Sequence, residues 1–180
     1  ELYHNAPLVK SYFNVLESNV IGKNGITLQM KSVNDKGFLD SKDNVLIERA
    51  WKDWGLYHAS ADGKYNFRRL QKLVVRTQKM EGEVFIRFIT GDVNKYGFAL
   101  EVIQPSLLDH TFNKELKSGN SIKMGIEYSK KYSRPIAYHF SKDLKNKGER
   151  TRIKAEEILH IQHVDECNAT RGISALSPAL

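Results

Sequence analysis

Gly82 divides this sequence by period. Before it, apolar residues recur every three or four positions; after it, they recur at every second one. The first rhythm belongs to helices that turn one face inward, the second to strands. Helices therefore come first, and strands joined by short turns follow. That order predicts an α+β fold, with N-terminal helices packed on mostly antiparallel strands and hairpins, rather than an alternating βαβ fold. A length of 180 residues suits one domain, or one domain with a small satellite. Its expected parts are helical over about 5–81, strand-rich over about 82–170, and the start of a further helix over 172–180.

Three helices are predicted. Over 5–20, Asn5 caps, Pro7 suits the first turn, and Leu8, Tyr12 or Phe13, Leu16 and Val20 recur at helical spacing. Over 42–58, Leu46, Ile47, Ala50, Trp51 and Trp54 make one apolar stripe, with the tryptophans as core anchors. Over 65–80, Phe67, Leu70, Val74 and Thr77 define an inner face, and Arg68, Lys72, Arg76 and Lys79 share another, read as a solvated basic face. Between the first two helices, 22–25 is a turn and Ile26, Leu28 and Met30 alternate as a short strand.

The strand-rich part opens with Val84 to Ile89, a turn, and a partner strand from Phe98 to Ile103 that Pro105 ends. Ile122, Met124, Ile126 and Tyr128 alternate with polar residues and Gly125 as one half-buried strand. A basic turn, 129–135, leads into a return strand carrying Ile136, Tyr138 and Phe140. Residues 141–150 read as a charged loop, and Leu159 to Val164 as the last strand.

Charge is uneven. The chain has a formal net charge of +7. Residues 111–154 hold twelve Lys and Arg against four acids, so the basic excess lies in the strand-rich part. Lys130, Lys131, Arg134, Lys145, Lys147 and Arg150 are its candidate contacts to nucleic acid or to a neighbouring subunit, with Tyr128, Tyr132 and Tyr138 interleaved. Lysines in such loops also serve solubility and discourage edge pairing.

Several chemistries find no support. There is no phosphate-cradling Gly-x-x-x-x-Gly-Lys-Ser/Thr loop and no Gly-x-Ser-x-Gly elbow. His160, His163, Asp165 and Cys167 resemble a metal set, but on a strand residues three apart point to opposite faces, so no metal is expected. Cys167, the one cysteine, reads as a bystander thiol. Glu81 and Glu83 flank a glycine and read as turn residues rather than a catalytic pair. No cofactor is expected. No apolar run of about 18 residues exists, so no transmembrane helix is expected.

With these residues read, the sequence resembles the lambda-type portal proteins of tailed bacteriophages. Gly82-Glu83-Val84-Phe85 is similar to that family's GEVF strand entry. Gly125-Ile126-Glu127 and Arg134-Pro135-Ile136-Ala137-Tyr138-His139-Phe140 resemble its GIE…GRPVAYHF hairpin. Residues 152–160 (RIKAEEILH) resemble its RIPAEDVLH, and residues 171–180 (RGISALSPAL) its RGISWLAPVL. Ser133, Lys154, Ala169 and Ala175 stand where the family often has Gly, Pro, Gln and Trp.

The resemblance implies a non-enzymatic structural part, a wing-like region truncated at both ends from a longer subunit. Gly82, Gly125, Arg134, Pro135, His160, Arg171, Gly172 and Pro178 are the structural positions it marks. Its implied partners are further copies of itself in a ring of about twelve closed by heterologous contacts. Double-stranded DNA in the channel, terminase, head-completion proteins and capsid protein complete the set, with no membrane. The implied place is the capsid vertex of the virion, with the host cytoplasm during assembly. A stand-alone basic nucleic-acid-binding module is the alternative, and an enzyme the least supported reading.

Overall fold

The structure, a computed structural model, describes residues 6–144 and 149–177. Three helices come first: α1 (Pro7–Val20), α2 (Ser41–Tyr57) and α3 (Phe67–Glu81). Eight strands follow: β1 (Glu83–Thr90), β2 (Phe98–Ile103), β3 (Lys114–Glu115), β4 (Ser121–Lys123), β5 (Ile126–Tyr128), β6 (Pro135–Ser141), β7 (Arg150–Lys154) and β8 (Ile158–Gln162). One sheet is ordered β2-β1-β8, the other β3-β4-β5-β6-β7. The α+β class expected from the change of period at Gly82 is what the structure shows. By contact the chain forms two compact units, one of residues 1–76 with 90–100, the other of 77–89 with 101–180.

In the first unit, rings make much of the core. Trp54 is buried, its ring 5.1 Å from that of Phe67 and 5.7 Å from that of Phe98, and Trp51 lies 4.9 Å from Trp54. The Trp54 indole N–H donates to the Phe98 carbonyl at 2.9 Å, so the polar edge of the buried ring is satisfied. The Asp40 carboxylate caps α2 by accepting the N–H groups of Lys42 and Asp43. Asn5, expected to cap α1, lies outside the described residues.

Two apolar faces differ from expectation. On α1, Phe13 and Glu17 are buried, whereas Leu8 and Val20 are exposed. On α2, Asn44 joins Trp54 inside, and Leu46, Ile47 and Ala50 of the expected stripe face out. Polar chemistry is the reason. Glu17 meets Arg76, and Lys72 at 3.9 Å, so part of the basic face of α3 is spent on a buried acid of this same chain. Asn44 and Glu48 turn inward because the segment before α2 needs acceptors.

That segment is no strand. The N–H groups of Ile26, Met30 and Ser32 donate to Gln71 Oε1 (3.0 Å), Glu48 Oε1 (2.9 Å) and Asn44 Oδ1 (3.0 Å). The alternation of Ile26, Leu28 and Met30 is that of an extended chain, and helix side chains take the place of a partner strand.

In the second unit, Phe85 is fully buried among Ile103, Leu108, Ile126, Tyr138, Phe140, Ile153 and Ile158. It stands edge-on to Tyr138 (5.6 Å) and Phe140 (5.2 Å). Residues 137–141 of β6 are all buried, and on the side away from this cluster Phe112 stands edge-on to His139 at 5.1 Å.

The single strand expected over 122–128 is a hairpin. β4 and β5 pair antiparallel with Lys123 opposite Ile126, and Met124-Gly125 is a two-residue turn with φ of 49° and 82°. Two consecutive left-handed residues define the turn that matches strand twist. The side-chain alternation survives because Ile122 and Ile126 both stay buried, while Met124 is partly exposed. β7 begins at the last residue of the expected charged loop, where no strand is expected; only Ile153 of it is buried, so its sequence carries almost no apolar signal. Residues 174–177 make a turn closed by the Ser177 N–H on the Ser174 carbonyl, and the remainder of the helix start expected over 172–180 falls outside the described residues.

A Cβ on Gly125 would lie 2.8 Å from the Asp109 carbonyl oxygen at a left-handed φ. Gly125→Ala is expected to cost about 2–3 kcal/mol, whereas Met124→Asn, which suits that region, leaves stability unchanged or about 0.5 kcal/mol higher. Urea denaturation followed by far-ultraviolet circular dichroism separates the two.

Candidate functional site

Glu83 is the first residue of β1 and sits next to a glycine that needs φ of 89°. Its side chain is only 3% exposed. A carboxylate stripped of water requires replacement donors, and here they converge from two other segments. His160 Nε2, on β8 across the sheet, donates to Oε2 at 3.0 Å. Arg171 forks onto Oε1 through Nε and a terminal nitrogen, and the Gly172 N–H donates to Oε2 at 3.1 Å. Burial alone pushes the Glu83 carboxyl up; the bonds from His160 and Arg171, the Arg171 charge and the Gly172 N–H outweigh it and hold the group below its ordinary range.

The remaining nitrogen, Nη1, donates to the Met124 carbonyl (3.5 Å), and Nη2 also donates to the Pro105 carbonyl (3.3 Å). One guanidinium thus ties together β1, the turn after β2 and the β4–β5 turn. Behind it, two backbones touch. A Cβ on Gly82 would fall 2.4 Å from the Ile173 carbonyl carbon, and one on Gly172 2.0 Å from the Gly82 oxygen. Flanking bonds fix the approach: His163 N–H to Gly82 O (2.7 Å), Ile173 N–H to His163 O (2.8 Å) and Ala175 N–H to Lys79 O (3.0 Å). Gly82, His160, Arg171 and Gly172, four of the positions marked by resemblance, meet at this point. Glu83 is corrected from turn residue to the acceptor on which they converge. Its position just ahead of the apolar run Val84-Phe85-Ile86 is the signal that could have shown it.

Two further buried acids hold β7. The fully buried Asp109 accepts Arg150 at 2.7 Å and the Thr111 hydroxyl at 2.6 Å, and the Arg150 guanidinium lies 4.3 Å over the Phe112 ring. Glu127 accepts Arg152 at 2.7 Å and His139 Nε2 at 3.2 Å. Desolvation lowers the His139 pKa despite that carboxylate, leaving the imidazole neutral at neutral pH. Arg150, a candidate outward contact, has its guanidinium on an internal acid. Gly125 forms the turn already described and Pro135 opens β6. Lys130, Lys131 and Arg134 stand together, exposed, on the β5–β6 turn. Lys145, Lys147 and Pro178 lie outside the described residues.

The chemistry available is that of fasteners. The two oxygens of Glu83 are already engaged, and no group of three His, Cys, Asp or Glu side chains could hold a metal among the described residues. His160 stacks on Phe85 at 4.3 Å, whereas His163 lies 3.7 Å from Asp165. An open pocket of about 260 Å³ borders the Arg171 fork, lined by Glu81, Ser106, His110 and Met124 besides the fork itself. No described helix is long and apolar enough to cross a membrane.

Removing Glu83 would strand Arg171, so Glu83→Ala is expected to destabilise the chain by about 3–5 kcal/mol. The sign of the pH effect follows from the lowered pKa. The unfolded group titrates near its ordinary value of 4.5, and the folded group lower. Its contribution is complete above that value and is lost as pH falls through the folded pKa. Glu83→Gln should flatten this acid limb, which denaturation midpoints measured from pH 6 down to about pH 3 would show.

Two comparisons with known proteins agree with one another. The family model described as "Phage portal protein, lambda family" matches residues 1–180. A curated "Probable portal protein" of Halomonas phage phiHAP-1 is 35% identical over 135 residues, which are 74% of this chain and 26% of the relative. The chain thus spans about a quarter of that relative's length. With the motifs gathered at Glu83 and a family match along the whole sequence, the chain belongs to the lambda family of phage portal proteins.

Proposed function

We propose that this chain is the wing-like piece of a non-enzymatic portal subunit. Copies of the subunit close into a ring, by family resemblance of about twelve, at the capsid vertex. The ring is the channel for packaging and ejecting double-stranded DNA, and it docks terminase and head-completion proteins beside the capsid protein. The family match over residues 1–180 carries this reading. The site geometry supports it: the charged groups buried in the second unit are occupied by one another, as structural fastening requires and catalysis does not.

Surface chemistry of the first unit also supports assembly. On α1, Leu8, Tyr12 and Val15 recur at i, i+4 and i+7 on the side away from Phe13 and Glu17, and Leu8 is 86% exposed. On α2, Leu46, Ala50 and Tyr57 form a second outward stripe, with Tyr57 71% exposed. Apolar stripes of this kind on a soluble chain mark contact surfaces. In a ring each would meet a different face of the next copy, as a heterologous interface requires.

Electron microscopy of the full-length protein should show rings with a central hole, and mass measurement a single large oligomer. A strict monomer under all conditions would overturn the portal reading. Leu46→Asp combined with Tyr57→Ser is expected to cut the ring fraction at least tenfold while circular dichroism stays unchanged, on the order of 2 kcal/mol per interface. Rings of undiminished yield would place the interface elsewhere.

A further inference from the structure

Two turns at one end of the five-stranded sheet are latched together and carry cations alone. The β3–β4 turn holds Lys117, Ser118, Gly119 and Asn120, and the β5–β6 turn runs from Ser129 to Arg134. Antiparallel order along β3, β4, β5 and β6 brings both turns to the same end. The Lys130 N–H donates to Asn120 Oδ1 at 3.1 Å, so one turn is bonded to the other. The Lys130 stem crosses Gly119 so closely that a Cβ there would lie 2.8 Å from Cδ. Within the second turn, Ser129 accepts the Ser133 N–H through its carbonyl and the Arg134 N–H through its hydroxyl, and Ser133 holds φ of 51°. Five residues of the basic turn, 130–134, are exposed, yet its backbone is built rather than loose.

No acid occurs between residues 116 and 126 or between 128 and 142. Among the described residues, no acid pairs with Lys117, Lys130, Lys131 or Arg134, whereas Arg150 and Arg152 next door are consumed by Asp109 and Glu127. Tyr132 is 73% exposed and the Lys131 Nζ sits 4.9 Å over its ring, which holds that ammonium outward. The exposed residue types are Lys, Arg, Ser, Tyr and Gly, those that contact phosphate oxygens through side chains and backbone N–H groups. The core of an interface with another protein disfavours lysine, and three of the four cations on these turns are lysines.

We propose that the paired turns 117–120 and 129–134 form a phosphate-contact surface for double-stranded DNA, with Lys117, Lys130, Lys131 and Arg134 as its cations. This rests on the portal reading for the source of the DNA. The contact reads charge and not sequence, since the turns offer point cations and no strand or helix to enter a groove. Each cation displaces about one counterion, so the surface is weak and salt-sensitive, as sliding DNA requires.

The test uses the full-length protein in its assembled form and a fluorescent duplex of about 30 base pairs, titrated across a salt series. The variant carries Lys117→Ser, Lys130→Ser, Lys131→Ser and Arg134→Ser together. The slope of log affinity against log salt is expected to fall by about three to four, and low-salt affinity by about a hundredfold, equally on AT-rich and GC-rich duplexes. Lys10→Ser with Lys23→Ser, two exposed cations of the first unit, should leave the slope unchanged. Replacing the three lysines by arginine should retain it, which guards against misfolding as the cause. An unchanged slope with rings intact overturns the DNA contact and leaves the portal reading standing. Rings lost with the slope retained would assign the turns to an acidic neighbour and also overturn it. A monomeric wild-type protein that shows the expected slope change would sink the portal reading alone.

Discussion

The second unit depends on one carboxylate. Glu83 stands where a helix becomes a strand, and two segments far along the sequence supply its donors. Hydrophobic burial is non-directional and would tolerate residues 171–173 in many poses. The Arg171 fork is directional, and the Gly82–Gly172 approach admits no side chain, so together they select one pose. A buried ion pair adds little net stability against an apolar equivalent, but breaking one is costly. Here its effect is on specificity: the strand entry, the β4–β5 turn and the end of the described chain are set by the same group.

The same arrangement recurs more weakly in the neighbouring sheet. Asp109 and Glu127 are buried acids, and both draw their arginines from β7. β7 has almost no apolar content, so its place at the sheet edge rests on backbone pairing with β6 and on these two pairs. The basic residues of 111–154 are therefore not all alike. Arg150 and Arg152 neutralise acids inside the unit. Lys117, Lys130, Lys131 and Arg134 sit on the paired turns and face solvent.

The fold class was legible because periodicity is local: each element announces itself in about ten residues. The helices, the β1–β2 pair, the return strand β6 and the divergence of His160 from His163 all followed from spacing. What escaped was decided by partners distant in sequence. Glu83 looks like a turn residue until Arg171, 88 positions later, is beside it. The β4–β5 hairpin hid behind an intact alternation, since a two-residue turn keeps Ile122 and Ile126 in phase. On α1 and α2 the anchors Phe13 and Trp54 lie inside as their spacing implies, but Leu8, Val20, Leu46, Ile47 and Ala50 of the same stripes face out, because Glu17 and Asn44 claim the inside. The structural role of the Arg171-Gly172 segment was readable only through family resemblance, which carries long-range pairing that a single sequence does not display.

The extended segment from Ile26 to Ser32 shows another side of this economy. In a sheet each rung joins one backbone to another, and no substitution short of proline deletes it. Here the rungs are Gln71, Glu48 and Asn44, so each is written in a single codon. Any apolar replacement at these positions leaves an N–H without its acceptor, although each looks like an interchangeable polar residue on a helix. The segment thus has the shape of a strand and the mutational fragility of a ligand site. Natural variation at those three positions should stay among side chains able to accept a hydrogen bond, even as the extended residues they hold drift freely.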